Sequence, residues 1–225
     1  MTPDSLPPDP VSPVPDPPRE ADPPREADPL RPTLTGRVVR LEPLSPDHTE
    51  GLMRFALDPS LWTYALSTMR DEGDLAMYVA RALALRGDGA AVPLAVVRLS
   101  DGAVVGSTRF SSLSAIDRRV EIGWTFYDPA VQGTAVNSDV KRLLLGHAFE
   151  AWRLLRVEFK ADARNARSRA ALAAIGATHE GTLRAHMKTA AGHQRDTVIY
   201  SVVAREWPAV RDRLDARIEA RRARG

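Results

Sequence analysis

The amino-acid sequence predicts an α/β (α+β) fold, in which helices pack on the faces of a mixed sheet. Segments rich in β-branched residues alternate with segments whose apolar residues recur every three or four positions. Glycine and proline mark the boundaries between these segments. The order that results is β-α-α-β-β-β-α-β-α-β-β, followed by one more helix.

The first half of the chain predicts a strand, two helices and three further strands. Residues 36–42 alternate and are β-branched, which is typical of a strand, and Pro43 ends it. Apolar residues at helical spacing predict a helix that begins at Ser45 or Asp47 and a second helix that begins at Glu72. The three strands follow at residues 92–98, 104–110 and 118–126, and a Ser-Asp-Gly turn joins the first two.

The second half predicts helices and strands in alternation. A helix from residue 136 to about 151 precedes a strand at 157–161. A short helix over 165–175 should end where Gly176 adopts a left-handed conformation. An antiparallel pair at 181–184 and 196–203 follows. The final helix, 207–224, places Val210, Leu214 and Ile218 on one face, and we expect its arginines on the solvated side.

Composition divides the chain into two parts. Residues 1–32 hold 12 of the 18 prolines, and DPPREA occurs there twice. Seven acidic residues and three arginines give this segment a net charge of −4, and we predict a disordered Pro-rich acidic tail. The whole chain is +2, so residues 33–225 carry +6 and are predicted to form one folded domain that ends in a basic amphipathic helix.

Several classes of protein and site are excluded or not expected. The chain has no cysteine, which excludes disulfides, thiolate metal sites and cysteine nucleophiles. No apolar run approaches the 18 residues of a spanning helix, and the start of the chain does not resemble a signal peptide. We therefore expect a cytoplasmic protein without a membrane partner. We expect no metal site and no nucleic-acid partner, and a homodimer is compatible with the sequence.

The segment Glu121–Asn137 carries the most chemical information. It reads as a strand, a loop and the start of a helix, where unpaired amide N–H groups create an anion site. Gly133 and Ala135 are small enough to let an anion approach the backbone closely, and such a turn can hold a pyrophosphate without a lysine. The alternative is an ordinary loop in which Thr134 caps the helix.

The segment Gln132–Asn137 resembles the acetyl-CoA-binding motif of the GNAT N-acetyltransferases, Gln/Arg-x-x-Gly-x-Gly/Ala. The resemblance extends from the first strand to Trp207 and is nearest to the Rim branch, which acetylates the N-termini of ribosomal proteins. The supporting segments are TGRVVRLEPL at 35–44, VVGSTRF at 104–110, RRVEIGW at 118–124, RVEFKADARNARSRAALAAIGATHEGTLR at 156–184 and DTVIYSVVAREWP at 196–208.

The resemblance implies a GNAT-like, mostly antiparallel sheet with helices on both faces and a splayed central strand pair, 118–126 and 157–162. Acetyl-CoA is the implied cosubstrate, with its pantetheine between these strands. The residues implied to bind it are Trp124, Thr125, Phe126, Gln132, Gly133, Thr134, Ala135, Val136, Asn137, Asn165 and Ser168. Ala135 and Asn137 replace the last two small residues of the motif. Alanine fits if that position has a helical φ.

The resemblance also directs attention to proton-transfer residues. Many relatives have a tyrosine acid seven residues after the position of Asn165, and this chain has Leu172 there. Ser168 is the candidate acid in its place, and its alternative role is the third residue of a helix that Asn165 caps. Glu121 is the candidate base, with Glu158 on the neighbouring strand as its rival. The alternative for Glu121 is a surface carboxylate paired with Arg118, Arg119 or Arg109.

The expected function is transfer of acetyl from acetyl-CoA to a primary amine, on a protein N-terminus or a small molecule, by direct attack of the amine. A non-catalytic acyl-CoA sensor or interaction module is the alternative from another class. A ribosome- or RNA-associated factor that uses the basic final helix is a third.

Overall fold

The computed structural model describes residues 30–224, and most of the predicted tail, residues 1–29, lies outside them. One sheet contains eight strands. They are β1 (Leu34–Thr35), β2 (Val39–Pro43), β3 (Ala91–Arg98), β4 (Val104–Ser114), β5 (Arg119–Tyr127), β6 (Arg156–Asp162), β7 (Thr178–Lys188) and β8 (Gln194–Val203). Their order across the sheet is β1-β2-β3-β4-β5-β6-β8-β7, and all neighbours pair antiparallel except β5 and β6.

Five α-helices connect and cover these strands. They are α1 (Thr49–Ala56), α2 (Glu72–Gly87), α3 (Val136–Gly146), α4 (Ala166–Ile175) and α5 (Trp207–Arg222). Their order confirms the sequence of elements predicted above. Gly176 ends α4 with φ 94°, the left-handed conformation that was expected of it.

Two predicted elements differ from the structure. The strand predicted over residues 36–42 begins only at Val39, as β2, because the chain turns at residues 36–38 and Asp139 of α3 accepts hydrogen bonds there from the Val38 and Val39 amides, at 2.7 and 3.1 Å. The helix predicted to reach residue 151 leaves α-helical geometry after Gly146 and continues as a wider π turn over His147–Ala151. The first difference depends on a contact with Asp139, about a hundred residues away, which local sequence does not encode.

The core consists of two hydrophobic clusters, one on each face of the sheet. The larger cluster includes Phe110, Ile122 and Phe159, together with residues of α3, α4 and α5. The smaller cluster joins α1 and α2 to the other face of β3 and β5 through Ala95 and Phe126. We call these the α3 face and the α2 face. The final helix is amphipathic as predicted, since Val210, Leu214 and Ile218 are buried.

Candidate active site

The central strands separate where the sequence predicted a splayed pair. β5 and β6 run parallel but pair at only three positions, which begin at Arg119–Arg156 and end at Glu121–Glu158. Beyond Glu121, the edge of β5 that faces β6 has no strand partner among residues 30–224. Parallel strands that separate in this way leave backbone hydrogen-bonding groups open for an extended ligand.

A bulge in β5 lies beside this separation. Pairing with β4 passes from Ser107–Phe126 to Arg109–Gly123, so β5 has one extra residue. Trp124 adopts φ 54° there, a conformation that is uncommon for a residue with a side chain. Its carbonyl accepts a hydrogen bond from the Tyr78 hydroxyl at 3.4 Å. The bulge therefore turns the Trp124 backbone out of the regular ladder at the position where we expected cofactor contacts.

The turn that enters α3 has the backbone geometry of an anion site. Gly133 has φ 83°, and a Cβ built on it meets no atom within 4 Å. Ala135 has φ −66°, which is the helical value that makes alanine acceptable there. The first helical bond runs from the Asp139 amide to the Ala135 carbonyl at 3.0 Å, so the Val136, Asn137 and Ser138 amides have no helical carbonyl to bond. An exposed, open turn at a helix N-terminus fits a pyrophosphate.

Side chains hold this turn in place. Gln132 donates to the Tyr127 carbonyl at 3.2 Å and accepts from Arg167 of α4. Thr134 donates to the Val131 carbonyl at 2.6 Å, and its hydroxyl accepts from the Val136 amide at 3.3 Å. The sequence-based alternative, a Thr134 cap, is wrong, because Ala135 is the N-cap of α3 and makes no side-chain cap hydrogen bond. The Thr134 hydroxyl instead bonds within the turn and leaves the outer surface of Gly133 open.

The side chains of Tyr127, Asn137 and Arg221 also lie at the turn. The Asn137 side-chain oxygen, Oδ1, accepts a hydrogen bond from the Tyr127 hydroxyl at 3.1 Å, so the Asn137 side chain is directed toward β5. Arg221 of α5 donates to the Thr134 carbonyl at 2.7 Å. Burial and the positive charges of Arg217 and Arg224 lower the pKa of Arg221. Sequence analysis missed Arg167 and Arg221, because only the tertiary fold brings α4 and α5 to this turn.

Glu121 lies on the α2 face, at the last paired position before the strands separate. Its carboxylate is only 13% exposed and forms an ion pair with Lys160 of β6 at 2.6 Å. The partners named for the alternative role, Arg118, Arg119 and Arg109, are therefore wrong. Glu121 is opposite Glu158 in the parallel register, and Lys160 is the next residue of β6 on that face, within reach of its long side chain.

Two of the three arginines expected to pair with Glu121, Arg118 and Arg119, contact other groups. Arg118 donates to the Arg153 carbonyl at 2.5 and 3.1 Å. The rival base Glu158 is held by Arg156 at 2.9 Å and lies 3.8 Å from Arg119. Of the two carboxylates, Glu158 is thus paired with guanidinium groups and Glu121 with a single lysine.

Asn165 and Ser168 lie at the start of α4, directly after β6. The Asn165 side chain accepts from the Ser168 amide at 2.9 Å, which confirms the predicted N-cap. Ser168 is half-buried, and its hydroxyl is not needed for this cap. Leu172 packs into the core at 6% exposure, so α4 presents an apolar group where many relatives have a hydroxyl. No contact joins Ser168 to Glu121 in the part of the chain that the structure describes.

A cavity of about 280 Å³ lies on the α2 face beside the bulge. Arg109, Trp124 and Tyr78 of α2 line this cavity. Sequence analysis named Trp124 as a site residue but missed Arg109 and Tyr78. The available signal was an arginine inside an otherwise uncharged strand, VVGSTRF, which does not show that the side chain is buried.

Residues 39–178 match the family model described as an acetyltransferase (GNAT) domain. The chain belongs to the GNAT acetyltransferase family. This confirms the resemblance found in the sequence, including the mostly antiparallel sheet with helices on both faces. Membership supports an acetyl-CoA-dependent acyltransferase, since the family uses acetyl-CoA.

Individual relatives agree with this assignment. YdaF of Bacillus subtilis (strain 168), named as a candidate ribosomal N-acetyltransferase, is 33% identical over 109 residues, which are 48% of this chain and 58% of that protein. A structure described as a candidate acetyltransferase from T. thermophilus is 36% identical, with a TM-score of 0.75 and coverage of 83% of this chain and 96% of that chain.

A third comparison shows the fold. RimJ of Mycobacterium smegmatis, solved in complex with CoA-disulfide, is 24% identical, with a TM-score of 0.74 over 86% of this chain and 97% of that chain. At this identity, the likeness to RimJ concerns the fold alone.

Residues 30–224 contain no group of three or more His, Asp or Glu placed to hold a metal ion. Over the same range, no helix is both long and apolar enough to cross a bilayer. The cytoplasmic location, the disordered tail and the absence of nucleic-acid partners stay predictions.

Proposed function

We propose that the protein transfers the acetyl group of acetyl-CoA to a primary amine, on a protein N-terminus or a small molecule. The observation that carries the proposal is the combination of the open turn at Gly133 with the separation of β5 from β6 after Glu121. Family membership supports the same reaction class.

The turn offers backbone donors for the cofactor. Amides from Gly133 to Asn137 would hold the pyrophosphate, with Gln132 and Thr134 fixing the turn. The Thr134 and Val136 amides already have acceptors in the turn, at 3.3 Å each, so those of Gly133, Ala135 and Asn137 would contribute most. The free edge of β5 from Trp124 to Phe126 would bind the pantetheine as a neighbouring strand does. Acetyl-CoA supplies an acetyl group already activated as a thioester.

Two side chains are the candidates for proton transfer, Glu121 on the α2 face and Ser168 at the start of α4. A peptide α-amine has a pKa of about 8, so a modest base is sufficient to keep the attacking amine neutral. Glu121 is the candidate, through one water, and Lys160 holds its carboxylate at the end of the paired segment. Ser168 is the candidate donor of a proton to the departing thiolate. Positioning of both reactants supplies much of the rate, so the absence of a tyrosine at Leu172 is compatible with turnover.

The test is steady-state release of CoA with a panel of amines, with mass spectrometry to identify the acetylated product. The panel contains peptides with free N-termini, lysine, polyamines and amino acids. We expect amine-dependent CoA release and an N-acetyl product. Binding of acetyl-CoA without transfer to any member would contradict the proposal and support the sensor alternative.

A further inference from the structure

Arg109 is a buried cation without an anionic partner. The residue is 3% exposed, and its Nε has no hydrogen-bond partner and no access to solvent. Within residues 30–224, its guanidinium makes no hydrogen bond or ion pair. A buried guanidinium normally has a carboxylate or several carbonyl oxygens around it, because an unpaired buried charge is costly. Arg109 therefore has hydrogen-bonding capacity that the protein itself does not use.

Aromatic rings hold this guanidinium in place. The Arg109 Cζ lies 5.0 Å from the centroid of the Tyr78 ring and 4.6 Å from that of Trp124. Such contacts stabilise the cation through the ring faces and leave its N–H groups, which lie in the guanidinium plane, free to donate. The same Tyr78 donates to the Trp124 carbonyl at the bulge, so the cation and the strained backbone form one unit.

The cavity beside Arg109 is positive with an apolar lining. Its apolar members include Leu66, Met69, Met77 and Leu85, Ser67 and Thr68 add hydroxyl groups, and a second guanidinium comes from Arg81. One carboxylate, Asp74, also lines the cavity. Arg70 already binds Asp74 with two hydrogen bonds at 2.8 and 3.1 Å, so this carboxylate does not neutralise Arg109.

The cavity and the candidate base share one face of the sheet. Arg109 pairs with Gly123 across β4 and β5, and Glu121 is two residues from Gly123. Phe110 and Ile122 pack into the α3 face, so by strand alternation Arg109 and Glu121 both belong to the α2 face. Diagonal neighbours of this kind have Cα atoms about 7–8 Å apart. One small molecule can thus place an amine near Glu121 and an anion on Arg109.

We propose that Arg109 is a specificity-determining residue that binds a carboxylate of the acceptor, and that the acceptor is a primary amine with a carboxylate and an apolar group. The inference rests on the proposed function, because it concerns the amine of that reaction. A planar carboxylate matches the guanidinium fork, and the aliphatic lining fits an apolar side chain. The carboxylate belongs either to a free amino acid or to an acidic side chain near a peptide N-terminus.

Matched acceptors test the proposal and separate these two sources. One pair is leucine and leucinamide, and the other is two peptide amides that begin Ser-Glu and Ser-Gln. We expect wild-type kcat/KM to favour the carboxylate member of one pair by about tenfold to a hundredfold, the range typical of a buried hydrogen bond to a charged group. In Arg109→Met this ratio should fall to about one, while kcat/KM for the amide member changes little.

The control variant is Arg211→Gln, on α5 at the opposite face, which should keep the wild-type ratio. Equal rates within both pairs in wild type, or a ratio that persists in Arg109→Met, would overturn the proposal. If transfer occurs to every amine without preference, only this inference fails. If no amine is acetylated, the proposed function fails instead.

A measurement without turnover protects the test against a variant that does not fold. Isocaproate and isocaproamide differ only in the carboxylate and match the leucine side chain without its amine. Wild-type protein should show a rise in Tm with millimolar isocaproate and none with isocaproamide. No shift with isocaproate would overturn the assignment of Arg109, whatever the acetylation assays show.

Discussion

The α3 face and the α2 face meet at β5 but offer a ligand different chemistry. On the α3 side, the proposed binding groups are backbone amides of an open turn, which Gln132 and Arg221 contact. On the α2 side, the proposed groups are side chains, namely Glu121 with Lys160 and Arg109 between two rings. A backbone site suits a ligand common to a whole family. A side-chain site can change its specificity by substitution without any change of fold.

The largest expected effect is the loss of acetyl-CoA binding when a negative charge is introduced at Gly133, in the open turn of the α3 side. Gly133→Glu places a carboxylate where the phosphates would lie, and like charges in contact cost several kcal/mol, so acetyl-CoA should bind at least about a hundredfold more weakly. Wild-type Tm should rise with acetyl-CoA, and this rise should vanish in the variant.

Gly102→Glu is the matched control for that experiment. Gly102 has φ 71° in the β3–β4 turn, and a Cβ there also meets no atom within 4 Å. Any general cost of the substitution therefore appears in both variants. Loss of the acetyl-CoA shift in both would show that backbone strain, and not charge at the turn, is responsible.

The α3 side also includes a stability cost that can be removed. Lys141 is 6% exposed, its ammonium lies 5.1 Å from the centroid of the Phe159 ring, and burial lowers its pKa to about 7. The unfolded pKa is about 10.4, so the unfolded state binds more protons between about pH 7 and 10.4 and wild-type stability should rise with pH across that window.

Lys141→Met should therefore stabilise the fold by about 1–4 kcal/mol at pH 7, with a smaller gain at pH 10. Urea denaturation at both pH values measures it. Lys188→Met, at an exposed position of β7, is the control and should change stability little. A gain of the same size at both pH values would mean that hydrophobic packing, and not the buried charge, is the cause.

A smaller loss of acetyl-CoA affinity should distinguish the contribution of Arg221, which contacts the turn, from the general effect of nearby positive charge. Arg221→Gln removes a donor to the Thr134 carbonyl and one of three clustered charges, so acetyl-CoA affinity should fall by about tenfold. Calorimetric titration gives the Kd. Arg222→Gln, an exposed neighbour that pairs with Glu219, should leave the Kd unchanged. Equal losses in both variants would indicate only a general charge effect.

The smallest expected effect concerns the thiolate. Ser168→Ala keeps the Asn165 cap, because the cap uses the Ser168 amide. If the hydroxyl protonates the leaving group, kcat should fall by less than about tenfold, since a CoA thiolate leaves readily without an acid. Turnover at saturating acetyl-CoA measures this, and a wild-type kcat would remove Ser168 from the mechanism.

The same division explains what the sequence could and could not predict. The turn at Gly133, the helical Ala135, the Asn165 cap and the left-handed Gly176 are local features, so residue type and spacing predict them. The pairing of Glu121 with Lys160 joins residues 39 positions apart. Such a contact depends on the parallel register of β5 and β6, which no local pattern specifies.

Long-range packing also explains the shortened first strand and the failure to recognise Arg109 as a site residue. The break between β1 and β2 is stabilised by Asp139, about a hundred residues away. Alternation of side chains along β4 predicts only which face of the sheet Arg109 is on. Its burial depends on Tyr78 and Trp124, which belong to other elements. Side-chain sites built between elements are therefore the part of the active site that sequence reasoning predicts least.

The central claim is that Glu121 on the α2 face accepts the proton of an amine that attacks acetyl-CoA held by the turn on the α3 side. The most direct test is the pH dependence of kcat/KM in Glu121→Gln. If Glu121 relays the amine proton, kcat/KM should fall by tenfold to a thousandfold near pH 7 while the Kd of acetyl-CoA stays unchanged. The deficit should shrink as pH rises past the amine pKa of about 8, because the free amine then needs no enzyme base. A wild-type rate at every pH would contradict the account and leave Glu121 as a carboxylate that only pairs with Lys160.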